Sequence, residues 1–112
     1  MSQKILQINL SYSISRSDLE SAWLDAAQAV ADVPGLLWKV WLIDENRKEA
    51  GGLYLFENEA AALSYMDSTI VASMKASPAV SNISAKLFDV IEPHSVVTRG
   101  PLTRMHDAAT GK

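Results

Sequence analysis

Residues 36–43 read Leu-Leu-Trp-Lys-Val-Trp-Leu-Ile, and this run limits what the chain can fold into more than any other segment. Pro34-Gly35 precedes it and the charged stretch Asp44 to Lys48 follows, so it reads as a short strand bounded by turns. Its apolar residues fall on both parities. A strand that is apolar on both faces is buried on both faces. One face of the sheet can be covered by the chain's own helices; the other needs a second cover.

The rest of the chain supplies the sheet and the helices. From Lys4 to Tyr12 the residues alternate, with Leu6, Ile8, Leu10 and Tyr12 on one side and Ile5, Gln7, Asn9 and Ser11 on the other. Ser17-Asp18-Leu19-Glu20 has the form of a capping box. Leu19, Ala22, Trp23, Ala26, Ala27 and Val30 then follow at helical spacing, and Pro34-Gly35 ends the helix. Ala50 to Phe56 is expected to pair with the two-faced strand as a hairpin, with Gly51-Gly52 marking a bulge or a close backbone approach. Asn58 is positioned to cap a second helix running to about Lys75, and Ile83 to Ile91 returns to alternation as the last strand. This order predicts an α+β, ferredoxin-like βαββαβ domain over residues 1–92: a four-stranded antiparallel sheet with two helices on one face. Residues 93–112 read as a polar tail with no clear element of its own. A bare apolar sheet face is larger than a monomer normally exposes, and the economical cover is a second copy across a two-fold axis. We therefore expect a homodimer, with Val96, Val97, Leu102 and Met105 placed to let the tail pack on the partner subunit.

Composition excludes several alternatives. The net charge of −3 and pI near 5.2 disfavour a nucleic-acid partner, which would call for a positive field. With no cysteine there is neither a disulfide framework nor a thiolate metal site, in keeping with a reducing cytoplasm. No window approaches the roughly 20 apolar residues of a membrane span, and the start of the chain shows no secretion signal. His94 and His106 are too far apart, and lack a paired carboxylate motif, for a metal site. No glycine-rich loop precedes a helix to cradle phosphate.

Three segments resemble the YdhR family of monooxygenases: Pro34 to Trp41, Glu49 to Phe56 and Ala61 to Tyr65, joined by Lys86 to Pro93 and Thr98 to Leu102 at the end of the chain. The resemblance runs from about residue 3 to residue 102; the first helix is similar mainly in pattern. It implies a dimeric α+β barrel, similar to the antibiotic-biosynthesis type of monooxygenase. It also implies oxidation of a small aromatic or polycyclic phenolic compound by molecular oxygen, with no cofactor. The alternative is a non-catalytic dimeric binding protein for a small apolar metabolite.

A cofactor-free oxygenase needs an apolar, aromatic-lined pocket, donors for a developing oxyanion and a base. Strand parity and the resemblance together nominate Trp41, Gly52, Tyr54 and Phe56 as lining, with Tyr65 approaching from the second helix. Trp38 has the opposite parity from Trp41, so the two tryptophans are expected on opposite faces. Each aromatic has an equally simple role as core packing. Tyr54, Tyr65 and His94 are the weak catalytic candidates, His94 because its ordinary pKa lies near neutrality. Asn9 is a candidate for binding a ligand carbonyl, against the alternative that Asn9 and Gln7 satisfy each other across the two-fold. Lys39 and Lys86 could each be an oxyanion donor or a base; the commoner case is a lysine snorkelling from an edge strand.

Overall fold

The computed structural model describes residues 2–102. Four strands, β1 (Lys4–Tyr12), β2 (Leu36–Asp44), β3 (Glu49–Phe56) and β4 (Val80–Asp89), form one sheet in the order β2-β3-β1-β4. Each neighbouring pair is antiparallel, which is the ferredoxin-like α+β arrangement. The helices are α1 (Arg16–Ala31), α2 (Glu59–Met66), α3 (Thr69–Ala76) and α4 (Glu92–Val97).

Local chemistry places the helix ends. Ser15, not Ser17, caps α1: its side chain accepts from the Asp18 amide at 3.1 Å, so Ser15-Arg16-Ser17-Asp18 supplies the cap with an acid in the first turn. Asn58 caps α2 through Oδ1, which accepts from the Ala61 amide at 2.8 Å. The expected second helix is in fact two. Asp67 closes α2, and Ser68 turns extended and accepts from the Val71 amide, restarting the chain as α3. β4 also begins earlier than alternation suggests. Asn82 takes a positive φ of 53° at an irregularity between Asn9 and Ser11, and this hides the period on its N-terminal side.

The core lies between the sheet and the α1–α3 layer. Leu6, Ile8, Tyr54, Phe56, Ala62 and Tyr65 form one buried cluster with Val30 and Val71, and Leu10, Tyr12, Leu19 and Ala50 form a second. Trp38, Val40, Leu42, Leu53, Leu55 and Phe88 lie on the opposite face of the sheet, by their pairing with β1 and β3. Val40, Leu42 and Phe88 are exposed there. Leu55 is fully buried, beside Trp38 in the pairing of β2 with β3.

The end of the chain departs from the expected featureless tail. Pro93 sits in the first turn of α4, where a missing amide hydrogen costs nothing, and so starts a helix after ending the strand. The chain then returns to the sheet: the Trp38 indole donates to the Pro101 carbonyl at 2.6 Å, and Leu102 is buried. This part of the tail packs on its own subunit. Val96 and Val97 stay exposed, while Met105 and His106 lie outside the described residues.

Gly51-Gly52 is not a bulge, since the pairing of β3 with both neighbours runs through it without a shift. It is a close approach: a Cβ at Gly51 would collide with the Ile8 carbonyl of β1. That contact is backbone to backbone and cannot be relieved by a rotamer change. Gly51→Ala should therefore cost about 2–3 kcal/mol or more, read as a lowered urea midpoint; an unchanged midpoint would mean that β1 and β3 are not so close.

Candidate functional site

The pairing of β2 with β3 sets Lys39 opposite Tyr54 and Trp41 opposite Gly52, all on the face that meets the helices. Between this face and α1 and α3 is a cavity of about 480 Å³. Its walls are mostly apolar, with Leu10, Leu19, Ile70 and Met74 among them, and among the described residues no carboxylate, arginine or histidine lines it. Lys39, Tyr54 and Tyr65 bring most of its polarity, with Ser73 and Ser77 from the helical side.

The Lys39 amine sits among rings. Nζ is 3.3 Å from the Trp41 ring centre, 4.4 Å from Tyr54 and 6.0 Å from Trp23. Trp23, on α1, closes this side by packing on Trp41 with ring centres 5.4 Å apart. Gly52 makes the arrangement possible: a Cβ there would stand 2.6 Å from Lys39 Cε. Burial pushes the amine down from the ordinary 10.5 to about 7. The negative faces of the rings act the other way and favour the ammonium. With no carboxylate to hold the proton, the free amine is populated near neutral pH.

Tyr54 and Tyr65 form a hydroxyl pair at 3.0 Å. Burial raises both, Tyr54 further through its tyrosine neighbour, so both stay protonated at physiological pH. One hydroxyl donates to the other. The second proton of the pair is then free for a ligand oxygen.

Of the residues nominated from sequence, Trp41, Tyr54 and Tyr65 meet in this cavity, with Gly52 shaping it beside Lys39. Phe56 does not reach it. It is fully buried behind the tyrosines, with ring centres 6.0 Å from Tyr54 and 5.7 Å from Tyr65, and its role is packing. Asn9 lies on the opposite sheet face because it has the other parity from Ile8 and Leu10. His94 is exposed on α4, in a separate shallow cleft with Ile5, Asp89, Ile91, Ser95 and Thr98. Two cavity residues stand outside the nominations. Lys39 was weighed as an oxyanion donor or base against a lysine snorkelling from an edge strand; it shares parity with Trp41 two residues on, and that parity was the available signal. Trp23 is one apolar position among many on an amphipathic helix, and its sequence context does not distinguish it.

With this geometry in view, comparison with known proteins gives a family. The family described as "Putative mono-oxygenase ydhR" matches residues 5–101. The chain belongs to the ydhR family. Solved structures share its fold at low identity. A protein of unknown function from Nitrosomonas europaea aligns with a TM-score of 0.69 at 16% identity, covering 81% of this chain and 91% of that one. SnoaB, a cofactor-independent oxygenase from Streptomyces nogalater, aligns at 0.67 and 14% identity, covering 82% and 96%. The heme-degrader MhuD of Mycobacterium tuberculosis, with two hemes bound in its active site, aligns at 0.61 and 19% identity, covering 78% and 95%. At these identities the likeness concerns the fold. No curated protein matches the chain. Among the described residues of this ydhR-family chain, no helix is long and apolar enough to cross a membrane, and no group of three or more His, Cys, Asp or Glu could hold a metal ion.

The Lys39 shift has a consequence for stability, with a definite sign. Between pH 7 and 10.5 the unfolded chain binds a proton at Lys39 that the folded chain has largely released, so folding stability rises with pH across that window. Lys39→Met removes this contribution and leaves other titrations in place. The stability difference between wild type and Lys39→Met should move by about 2–3 kcal/mol in favour of wild type from pH 6.5 to 9.5. At pH 6.5 the variant should be the more stable protein. Urea unfolding at the two pH values measures it, and a gap that does not change with pH would contradict a buried, uncompensated amine.

Proposed function

We propose that this ydhR-family protein is a cofactor-independent monooxygenase for a small aromatic or polycyclic phenolic compound. The observation that carries the reading is an uncompensated amine in an aromatic-lined cavity, beside a tyrosine pair with a proton to donate. The ydhR family assignment and the shared fold with SnoaB support it.

The chemistry follows from those groups. An aromatic ligand stacks among Trp23, Trp41 and Tyr54, and the free Lys39 amine removes an acidic proton from a phenol or from the CH₂ of an anthrone-like ring. The tyrosine pair hydrogen-bonds the oxygen on which charge develops. The resulting carbanion passes one electron to O₂, and the radical pair joins to form a C–O bond. The peroxide then loses the remaining C–H proton as its O–O bond breaks, leaving a ring carbonyl and one water. The four electrons lost by the CH₂ carbon are those gained by O₂. The protein supplies a base, a donor and an apolar, aromatic-lined site.

The working unit we propose is a homodimer. Val40, Leu42 and Phe88 on the outer sheet face, with Ile91, Val96 and Val97 at and beside α4, offer exposed apolar surface for a second copy. Analytical ultracentrifugation tests this directly: Val40→Glu with Phe88→Glu should yield monomer from a wild-type dimer, and a wild-type monomer at micromolar concentration would refute it.

The function is tested by oxygen uptake with metal-free, flavin-free protein against anthrones, quinols and flavonols. Uptake should rise with pH along a limb near 7, set by Lys39. Lys39→Met should lower kcat by about 100-fold or more, and Tyr65→Phe should have a smaller effect. Saturable binding of the same compounds with no oxygen consumption would favour the binding-protein reading. Turnover only after adding heme or flavin would overturn the cofactor-free reading.

A further inference from the structure

Lys39 is also the one lysine among the described residues that lines this cavity. Lys4 is ion-paired with Asp89 and Glu59, Lys48 donates to the Ile14 carbonyl at 2.7 Å, and Lys75 and Lys86 are exposed. Lys39 alone of these lines the large cavity, with no carboxylate to hold its proton. A partly desolvated lysine in an apolar pocket can add to a carbonyl carbon as well as take a proton. We propose that Lys39 captures an apolar aldehyde or ketone as an imine in the cavity between the sheet and the helices. This covalent binding activity needs no oxygen and does not rest on the monooxygenase reading.

The step balances without a co-reactant. The Nζ lone pair forms a bond to the carbonyl carbon while the C=O π pair moves to oxygen. The oxygen takes a proton, for which the uncommitted hydroxyl of the Tyr54–Tyr65 pair is the local donor. Nζ gives up two protons in all, and the carbinolamine oxygen departs as water, leaving C=N. No atom changes its oxidation state, and reversal by water releases the carbonyl compound and the amine. The cavity favours this equilibrium because Trp23, Trp41 and Tyr54, with the apolar walls around them, hold an aromatic body against the amine. The ligand class is thus an aromatic or otherwise apolar carbonyl compound, with no charged group because no counter-charge lines the walls.

The test traps the imine in the full chain. Wild-type protein at pH 7 is mixed anaerobically with 2-naphthaldehyde and sodium cyanoborohydride, then mapped by peptide mass spectrometry; glycolaldehyde serves as the hydrophilic control. The expected result is a reduced naphthylmethyl adduct on Lys39 at tenfold or more over any other lysine. Glycolaldehyde should instead spread over Lys4, Lys48, Lys75 and Lys86. Lys39→Arg should lose the naphthyl adduct with an unchanged circular dichroism spectrum. If that variant does not fold, excess 2-naphthol added to wild type should suppress the Lys39 adduct by filling the cavity. Naphthyl label distributed like the glycolaldehyde label, or a Lys39 adduct indifferent to 2-naphthol, overturns the proposal. The two readings separate cleanly: an adduct without oxygen uptake upholds the imine and counts against the oxygenase, and uptake without an adduct does the reverse.

Discussion

Because Gly52 faces Trp41 in the pairing of β2 with β3, the Lys39 stem can lie where any side chain on Gly52 would block it. That one register brings together the amine, Trp41 and Tyr54, and through Tyr54 it positions the hydroxyl of Tyr65. It also decides the other face. The residues between them, Trp38, Val40 and Leu42, are turned outward, and Trp38 becomes the anchor for the returning chain at Pro101. A shift of one residue would exchange the two sets and put Lys39 in solvent. The neighbouring Gly51 fixes the other pairing of β3, since only a glycine tolerates the approach of β1 at that point.

Enclosing an amine without a counter-ion works against stability, and the surroundings offset that cost only in part. The rings of Trp41 and Tyr54 attract the ammonium, a contribution of roughly 0.5–2 kcal/mol, while burial opposes it. A carboxylate in the cavity would settle the charge and hold the amine protonated, and with it would go both basicity and nucleophilicity. Instead the carboxylates sit at the periphery, where Asp89 and Glu59 serve Lys4 and Glu20 and Glu45 serve Arg16. Among the described residues, the cavity is therefore left with an amine that has no acidic partner. This is the usual trade of stability for function at a site that must act.

The order of elements was legible in the residues, because alternation in Lys4 to Tyr12, the two-faced run at 36–43 and the caps at α1 and α2 are local signals. What was illegible followed from competition between signals of equal strength. Ser13, Ser15 and Ser17 all lie where a cap can form, and only the packing of Leu19 and Val30 decides the register of α1. Ser68 looks like an ordinary helical residue until the chain needs to turn. Within the site, Tyr54, Tyr65, Trp41 and Gly52 were within reach of parity reasoning, whereas Phe56 shares that parity and still lies behind the tyrosines. Parity gives a side chain its face but not its depth.

The sequence by itself determined the order of the four strands, the place of the helical segments between them and the burden of apolar residues on both faces of β2, since periods of 2.0 and 3.6 are properties of neighbouring residues. It also determined which side chains share a face along each strand. Tertiary structure alone decided that Lys39 turns into the cavity among the rings and not out into water. A lysine at that position has the length to reach either water or the cavity, and the choice depends on Trp23, sixteen residues earlier on another element, meeting Trp41 above it. The fate of the tail is of the same kind. Pro93 and Leu102 carry no local sign of where the chain returns; the indole N–H of Trp38, which finds its acceptor at Pro101, and the apolar surface beside it do.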